Sequence, residues 1–307
     1  MSLRFSPLPA PRFPEWRAAT RERLISRNAR SGLRTGADAV AHADLLLSEL
    51  LPQGIDTATS RILLVSERDR ELGTLWLGVG ATLFLIDVAA DVDGHQDEIV
   101  GEILRIARDS GATRLSTALF PQDGSGHALI ARRGFTLASI QMILEPLPPR
   151  APDGVLVEPM TPERFTTFAA ASESAFADDL VTSGRYTREE ALAESARQMA
   201  AELPDGRTTE GQRFFTASAE GQEVGILWIG ARTRDGRPHA FVLDIEVAED
   251  QRGKGYGRAL MHAAEREARA FGADSIGLHV FGFNSGAVHL YESLGYRRVE
   301  ESYVLDL

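Results

Sequence analysis

The sequence predicts an α/β protein made of two tandem copies of one domain, and three observations carry that reading. The first is an internal repeat. ELGTLWLGV at 71–79 returns as EVGILWIGA at 223–231, an offset of 223 − 71 = 152, with Glu, Gly, Leu, Trp and Gly in register. The same offset pairs Leu8, Pro9, Arg12 and Phe13 with Met160, Thr161, Arg164 and Phe165, and it pairs 51–54 with 203–206. Farther on, SGATRL from Ser110 aligns with FGADSI from Phe271, and RRGF from Arg132 with SLGY from Ser293, at 272 − 111 = 161. The second observation is an order of elements: an apolar run at 241–247, the glycine-rich QRGKGYG at 251–257, then an amphipathic stretch at 258–271. That is strand, turn, helix. The third is PLPPRAPDG at 146–154, whose four prolines bar it from a central strand or a helix interior and mark a linker. The domains predicted are therefore 1–145 and 155–307, joined by 146–154.

Each copy reads alike. A first strand (4–8; 155–159) leads into a helical region of two segments, the second spanning 36–51 or 187–203. Three strands follow, at 61–66, 73–79 and 82–88 in the first copy and at 213–218, 225–231 and 240–247 in the second. A long helix, a strand, a short helix and a last strand complete each copy, ending near Leu144 or Leu305. Ile99, Ile103, Ile106 and Ala107 mark the buried face of the first long helix; Tyr256, Leu260, Ala263 and Ala264 mark that of the second. Gly111 and Gly272 stand where a left-handed helix cap is wanted. The change of offset places 161 − 152 = 9 extra residues in the second copy. About seven are TRDGRPH at 233–239, replacing a tight glycine turn, and two fall in the glycine-rich loop. The uncharged stretch 72–86 is shorter than the ~20 residues of a membrane span. With Gly78 and Gly80 inside it, it reads as a hairpin of buried strands.

Composition narrows the function. The formal net charge of −11 argues against nucleic acid or an anionic membrane as partner and suits a cationic substrate. There is no cysteine, which excludes disulfides, zinc–thiolate sites and a cysteine acyl-enzyme. The first sixteen residues hold no apolar core of signal-peptide length, so the cytoplasm is the expected location. No metal is expected.

Gly253, Gly255 and Gly257 lack a Cβ, so a phosphate can approach the backbone and meet several N–H groups. The following helix turns its N-terminus to the same anion, and Arg252 and Lys254 add positive charge. Downstream, 276–296 reads as a strand, a cap at Asn284 or Ser285, a short helix carrying Tyr291, and Gly295 as its stop. Arg252, Gly255 and Gly257 meet the R/Q-x-x-G-x-G/A signature of the GNAT acetyltransferase superfamily, and Asn284, Tyr291, Glu292, Leu294, Gly295 and Tyr296 meet its later signature. The chain resembles that superfamily over almost its whole length, twice. The resemblance implies a mixed, mostly antiparallel sheet with helices on both faces in each copy. It implies acetyl-CoA held at Arg252, Gly253, Lys254, Gly255, Tyr256, Gly257 and Asn284, with the thioester oxygen on backbone N–H near Val247.

The activity so implied is direct attack of a small molecule's amine on acetyl-CoA, in a monomer or homodimer. Acetylation of protein N-termini or lysines, and a non-catalytic acyl-CoA sensor, are the alternatives. Tyr291 holds the family's position for the acid that protonates the leaving thiolate; packing through its ring is the other reading. Asp244 and Glu246 share one strand face, opposite Leu243, Ile245 and Val247, either as amine site and general base or as a solvated rim. His279 faces either the core or the cleft, where it would carry protons. The first copy reads DVDGHQDE at 91–98, without the arginine and with two of the three glycines lost. Ile130, Ala118 and Asp123 stand for Tyr291, His279 and Asn284, and Asp87 aligns with Glu246. Asp93 with Gln96 forms a capping box there. The first copy is thus expected to support the second rather than bind the cofactor. The acceptor is expected at the helical segments and loops such as 176–186.

Overall fold

The computed structural model describes residues 3–151, 154–183 and 186–307. Pro152 and Asp153 of the proline-rich segment, and Gly184 and Arg185 of 176–186, lie outside the described residues. In the first copy the order is β1 (Leu3–Pro7), α1 (Phe13–Ser31), α2 (Gly36–Leu50), β2 (Ser60–Glu67), β3 (Arg70–Gly78), β4 (Thr82–Ala90), α3 (Gln96–Asp109), β5 (Arg114–Leu119), α4 (Gly124–Ile130) and β6 (Thr136–Leu144). The second copy repeats it: β7 (Leu156–Pro159), α5 (Pro162–Thr182), α6 (Arg188–Glu202), β8 (Gln212–Ala219), β9 (Gln222–Arg234), β10 (Arg237–Val247), α7 (Tyr256–Ala270), β11 (Ile276–Phe281), α8 (Ser285–Ser293) and β12 (Arg297–Asp306).

The chain forms two compact units, Met1–Ala138 with Val299–Leu307, and Ser139–Arg298. This departs from the boundaries read from sequence, which leave each copy its own last strand. The last strands are exchanged. In unit 1, β12 pairs antiparallel with β5 from Glu301↔Leu119 to Asp306↔Arg114. Arg114 and Asp306 add an ion pair at 2.8 Å, and Tyr303 meets His127 edge-on. In unit 2, β6 pairs antiparallel with β11 from Ile276↔Leu144 to Phe281↔Ser139.

Each unit is a six-stranded mixed sheet, β1-β2-β3-β4-β5-β12 or β7-β8-β9-β10-β11-β6, in which β4–β5 and β10–β11 run parallel and the other pairs antiparallel. Strand alternation sends successive side chains to opposite layers. In unit 1, Leu75 and Leu77 join Ile99 and Ile103 of α3, while Trp76 between them joins Trp16 of α1 and Leu47 of α2. In unit 2, Trp228 packs with Phe168 of α5 and Phe214, and Leu260 of α7 lies on the other face, against Gly225. The hairpin at 72–86 is present as β3 and β4. Gly111 and Gly272 take left-handed conformations, φ 72° and 78°.

The repeat is a repeat of contacts. Arg12–Glu71 and Arg164–Glu223 form the same ion pair, at 2.8 and 2.6 Å. The indoles of Trp76 and Trp228 each donate at 2.8 Å to the residue 16 earlier, Ser60 or Gln212. Thr57 and Thr209 each donate to the carbonyl three residues back at 2.9 Å. Gly225 has no room for a side chain: a Cβ there would meet the Glu246 carbonyl at 2.3 Å, as one on Gly73 would meet that of Ala89 at 2.0 Å.

The insertion 233–239 lies in the strand hairpin, where it lengthens β9 and β10, which join through Asp235 (φ 52°) and Gly236 (φ 69°). Two positive-φ residues make the turn that matches strand twist. One local expectation is corrected. Asp93 does not cap α3, whose N-cap is His95 without a side-chain bond.

His239 on β10 is buried and its Nδ1 stands 2.8 Å from Ser275 Oγ. Burial, with Arg234 nearby, pulls its pKa from 6.5 to about 4. The folded value is depressed, so stability is full above the ordinary pKa and lost as pH falls toward about 4. His239→Gln is expected to flatten that loss, on the order of 2–3 kcal/mol. Urea midpoints at neutral and acid pH check it, and an unchanged slope would free His239 of the role.

Candidate functional site

The site is built where β10 and β11 stop pairing. Their parallel ladder runs only from Ala240↔Ile276 to Val242↔Leu278. At the next residue β10 carries a bulge: Val242 opposes Ile229 and Asp244 opposes Trp228, leaving Leu243 unpaired. A bulge adds one residue to one strand and re-aims its side chains. Leu243 accordingly packs against the buried cluster that holds Phe168, Phe214 and Trp228, on the α5–α6 side, and not with the face of Ile245 and Val247 as strict alternation requires. Asp244 also faces α5, accepting a hydrogen bond from Ser172 Oγ at 2.5 Å.

Burial raises Asp244 above the usual carboxylate range, and the charge of Glu246 adds to it, while the Ser172 bond pulls back. Glu246 itself is exposed. Tyr291 of α8 is 7% exposed, its ring 6.0 Å from that of Tyr296. Burial, reinforced by Asp244, pushes its phenol up to about 12. Its hydroxyl makes no hydrogen bond among the described residues. His279 is exposed on β11 and meets Phe281 edge-on at 5.7 Å. Asp244 is thus within electrostatic reach of Glu246 and of Tyr291; His279 stands on the solvent side, not in the core.

The glycine-rich loop forms a cradle at the end of β10. Gly253 and Gly255 have φ of 79° and 88°, and a Cβ on either would meet nothing within 4 Å. Gly255 is the N-cap of α7. Among the described residues, the N–H groups of Gly253, Lys254, Gly255, Tyr256 and Gly257 donate to no backbone carbonyl. Five such donors at a helix N-terminus, with open space before them, fit a diphosphate. Gly257 has a different reason to be glycine: a Cβ there would lie 3.1 Å from Leu290 of α8, so it sets helix packing. Arg252 donates through Nε to Val247 O at 3.2 Å, and Lys254 to Gln251 at 2.9 Å. Asn284 caps α8, its Oδ1 accepting from Ala287 N at 3.2 Å.

Unit 1 treats the same positions differently. Its β4 carries the equivalent bulge, at Ile86, and Asp87 opposes Trp76 as Asp244 opposes Trp228. Asp87 therefore corresponds to Asp244 and not, as counting residues implied, to Glu246. It is clamped by Arg23 at 2.9 Å and Arg27 at 3.0 Å, and Arg27 also holds Asp123 at 2.5 Å. A cavity of about 430 Å³ opens beside these four charged groups, which are paired with one another. Where unit 1 has two arginines, unit 2 meets the carboxylate with a serine hydroxyl. Sequence reading missed Ser172, and no local pattern marks it, because its partner lies 72 residues away.

Residues 177–296 match the model of the acetyltransferase (GNAT) family. The chain is 33% identical over 141 residues to the uncharacterized N-acetyltransferase YdgE of Bacillus subtilis (strain 168), covering 46% of this chain and 90% of that one. It belongs to the GNAT acetyltransferase family. It is an acetyltransferase of the GNAT type. A mycothiol acetyltransferase of Thermomonospora curvata is 28% identical over 252 residues, covering 75% of this chain and 80% of that protein. The crystal structure of a GCN5-related N-acetyltransferase from Sphaerobacter thermophilus matches 99% of this chain and 98% of its own, with a TM-score of 0.52 and 18% identity. That likeness spans both units and shows their fold.

Proposed function

We propose that unit 2 transfers an acetyl group from acetyl-CoA to the amine of a small molecule by direct attack, and that unit 1 binds no cofactor. The observation that carries this is the conjunction, within one unit, of the donor-lined glycine cradle with the Asp244–Tyr291 pair. Acetyl-CoA supplies the thioester whose C–S bond breaks as the amine nitrogen forms its bond to the acetyl carbon. The five N–H groups from Gly253 to Gly257 and the cations Arg252 and Lys254 hold the diphosphate, with Asn284 Nδ2 beside them. The diverging ends of β10 and β11 leave backbone near Val247 to bind the carbonyl oxygen.

The chain's own groups handle two protons. Asp244, with Glu246 at the mouth, accepts the proton lost by the nitrogen, and His279 on the exposed side passes it to solvent. Asp244 is suited to this because its raised pKa brings it closer to that of an amine. The Tyr291 phenol, protonated at neutral pH with its pKa at about 12, gives its proton to the departing sulfur. If Asp244 must be ionised, kcat/KM falls as pH drops through a value above the ordinary aspartate range. Asp244→Asn is expected to abolish that limb.

Binding stoichiometry tests the division of labour. Isothermal titration is expected to find one acetyl-CoA per chain, lost on substitution in 252–257 and indifferent to changes at 91–98. The arginine clamp on Asp87 and the acids of DVDGHQDE support this, since a diphosphate there would meet carboxylates. Two equivalent sites would overturn it.

A further inference from the structure

The rim of the unit 2 cleft carries information about the acceptor. Ser172, Phe176 and Asp179 follow at helical spacing on one face of α5. Ser172 fixes that face toward the site through its bond to Asp244 at 2.5 Å. One turn on, the Phe176 ring lies 6.2 Å from that of Phe281 at the end of β11. Phe281 stacks on Phe283, with centroids 5.4 Å apart and 11° between the planes. Phe283 is 48% exposed, so the ladder ends open to solvent. The next turn of α5 brings Asp179, half-buried and with no cationic partner among the described residues. Its pKa is raised by burial and by the charges of Asp244 and Asp178. Tyr291 is 7% exposed, its hydroxyl is unpartnered among the described residues, and the Asp244 carboxylate acts on it.

Each part limits what fits. Carboxylates that repel one another across a half-buried space are relieved by cations placed between them. A stacked aromatic pair with one open face takes a flat apolar body, and its π-surface also favours a cation. A polyhydroxylated amine would bring its hydroxyls against phenyl rings, where they find no partners. We propose that the acceptor is a diamine with an aromatic body. Its reacting nitrogen sits between Tyr291 and Asp244, its ring lies on the open face of Phe283, and its second ammonium meets Asp179. This rests on the reading of unit 2 as an amine acetyltransferase.

The test compares kcat/KM for p-xylylenediamine, benzylamine and glucosamine at saturating acetyl-CoA, in the full chain. The expected order is diamine, benzylamine, glucosamine, with at least about tenfold between first and last. Asp179→Asn is expected to shrink the diamine-to-benzylamine ratio about tenfold. Phe283→Ala, at an exposed position that leaves the fold alone, shrinks the benzylamine-to-glucosamine ratio similarly. Glucosamine used as well as the diamine, or ratios unmoved in both variants, would overturn the inference. A panel of other primary amines, peptides included, separates the two levels. Turnover only outside the aromatic diamines sinks this inference alone. No turnover with any amine sinks the amine reading and this inference with it.

Discussion

Tyr291→Phe is expected to lower kcat about 10²-fold while leaving acetyl-CoA affinity and thermal stability almost unchanged. Its ring packs against Tyr296 at 6.0 Å, a contact that phenylalanine keeps. The lost hydroxyl bonds to nothing among the described residues, so its removal orphans no partner. What disappears is a proton donor. A phenol at about 12 is a weak acid for an ordinary thiolate, whose pKa is near 8.5. However, a thiolate expelled into the same dry place is raised by the same desolvation, which narrows the gap. Single-turnover rates at fixed saturation of both substrates measure the effect. Full turnover in the variant would remove Tyr291 from the chemistry and leave it a packing residue.

The second large effect is at the loop. Gly255→Val places a β-branched residue at φ 88°, where nothing lies within 4 Å of the added carbon. The cost is therefore in the backbone and not in a clash. Relaxing that strain means rotating φ, which turns the N–H groups around Gly255 away from their common focus. We expect acetyl-CoA affinity to fall about 30-fold or more, with a melting temperature within a few degrees of wild type. Wild-type affinity by titration, in a folded variant, is the result that would dismiss the cradle. Gly257→Ala makes a useful contrast, since Leu290 at 3.1 Å makes its penalty one of stability.

What the sequence made legible is what short-range physics encodes. Glycines at left-handed positions, an Asn cap, and the buried faces of α3 and α7 depend on neighbours a few residues away. The duplicated ELGTLW and EVGILW stretches were readable because the same tryptophan and glycine meet the same needs in both units. The site was legible as a loop and a set of acids, and not as a geometry. Alternation along β10 assigned Leu243 to the wrong face because a bulge adds a residue without leaving a sequence mark. Counting along the chain also matched Asp87 with Glu246, and only the strand register ties it to Asp244. Ser172, Phe176 and Asp179 sit in a helix whose motif-free sequence says nothing of what it faces. Nor does the pattern of β6 or β12 say which sheet it joins, since periodicity encodes faces and not neighbours.

That exchange bears on how the protein is made. Unit 1 needs Val299–Leu307, a segment that begins 299 − 138 = 161 positions after Ala138, where the rest of the unit ends. Once Leu119 has been added, 306 − 119 = 187 further positions must be translated before the strand that covers β5 is complete. At common elongation speeds that wait is roughly ten to forty seconds. For that time the outer edge of Arg114–Leu119 has no native partner and is open to foreign strands. A premature stop shortly before Val299 would thus injure the N-terminal unit, whose other residues are all encoded upstream, while sparing most of the C-terminal one.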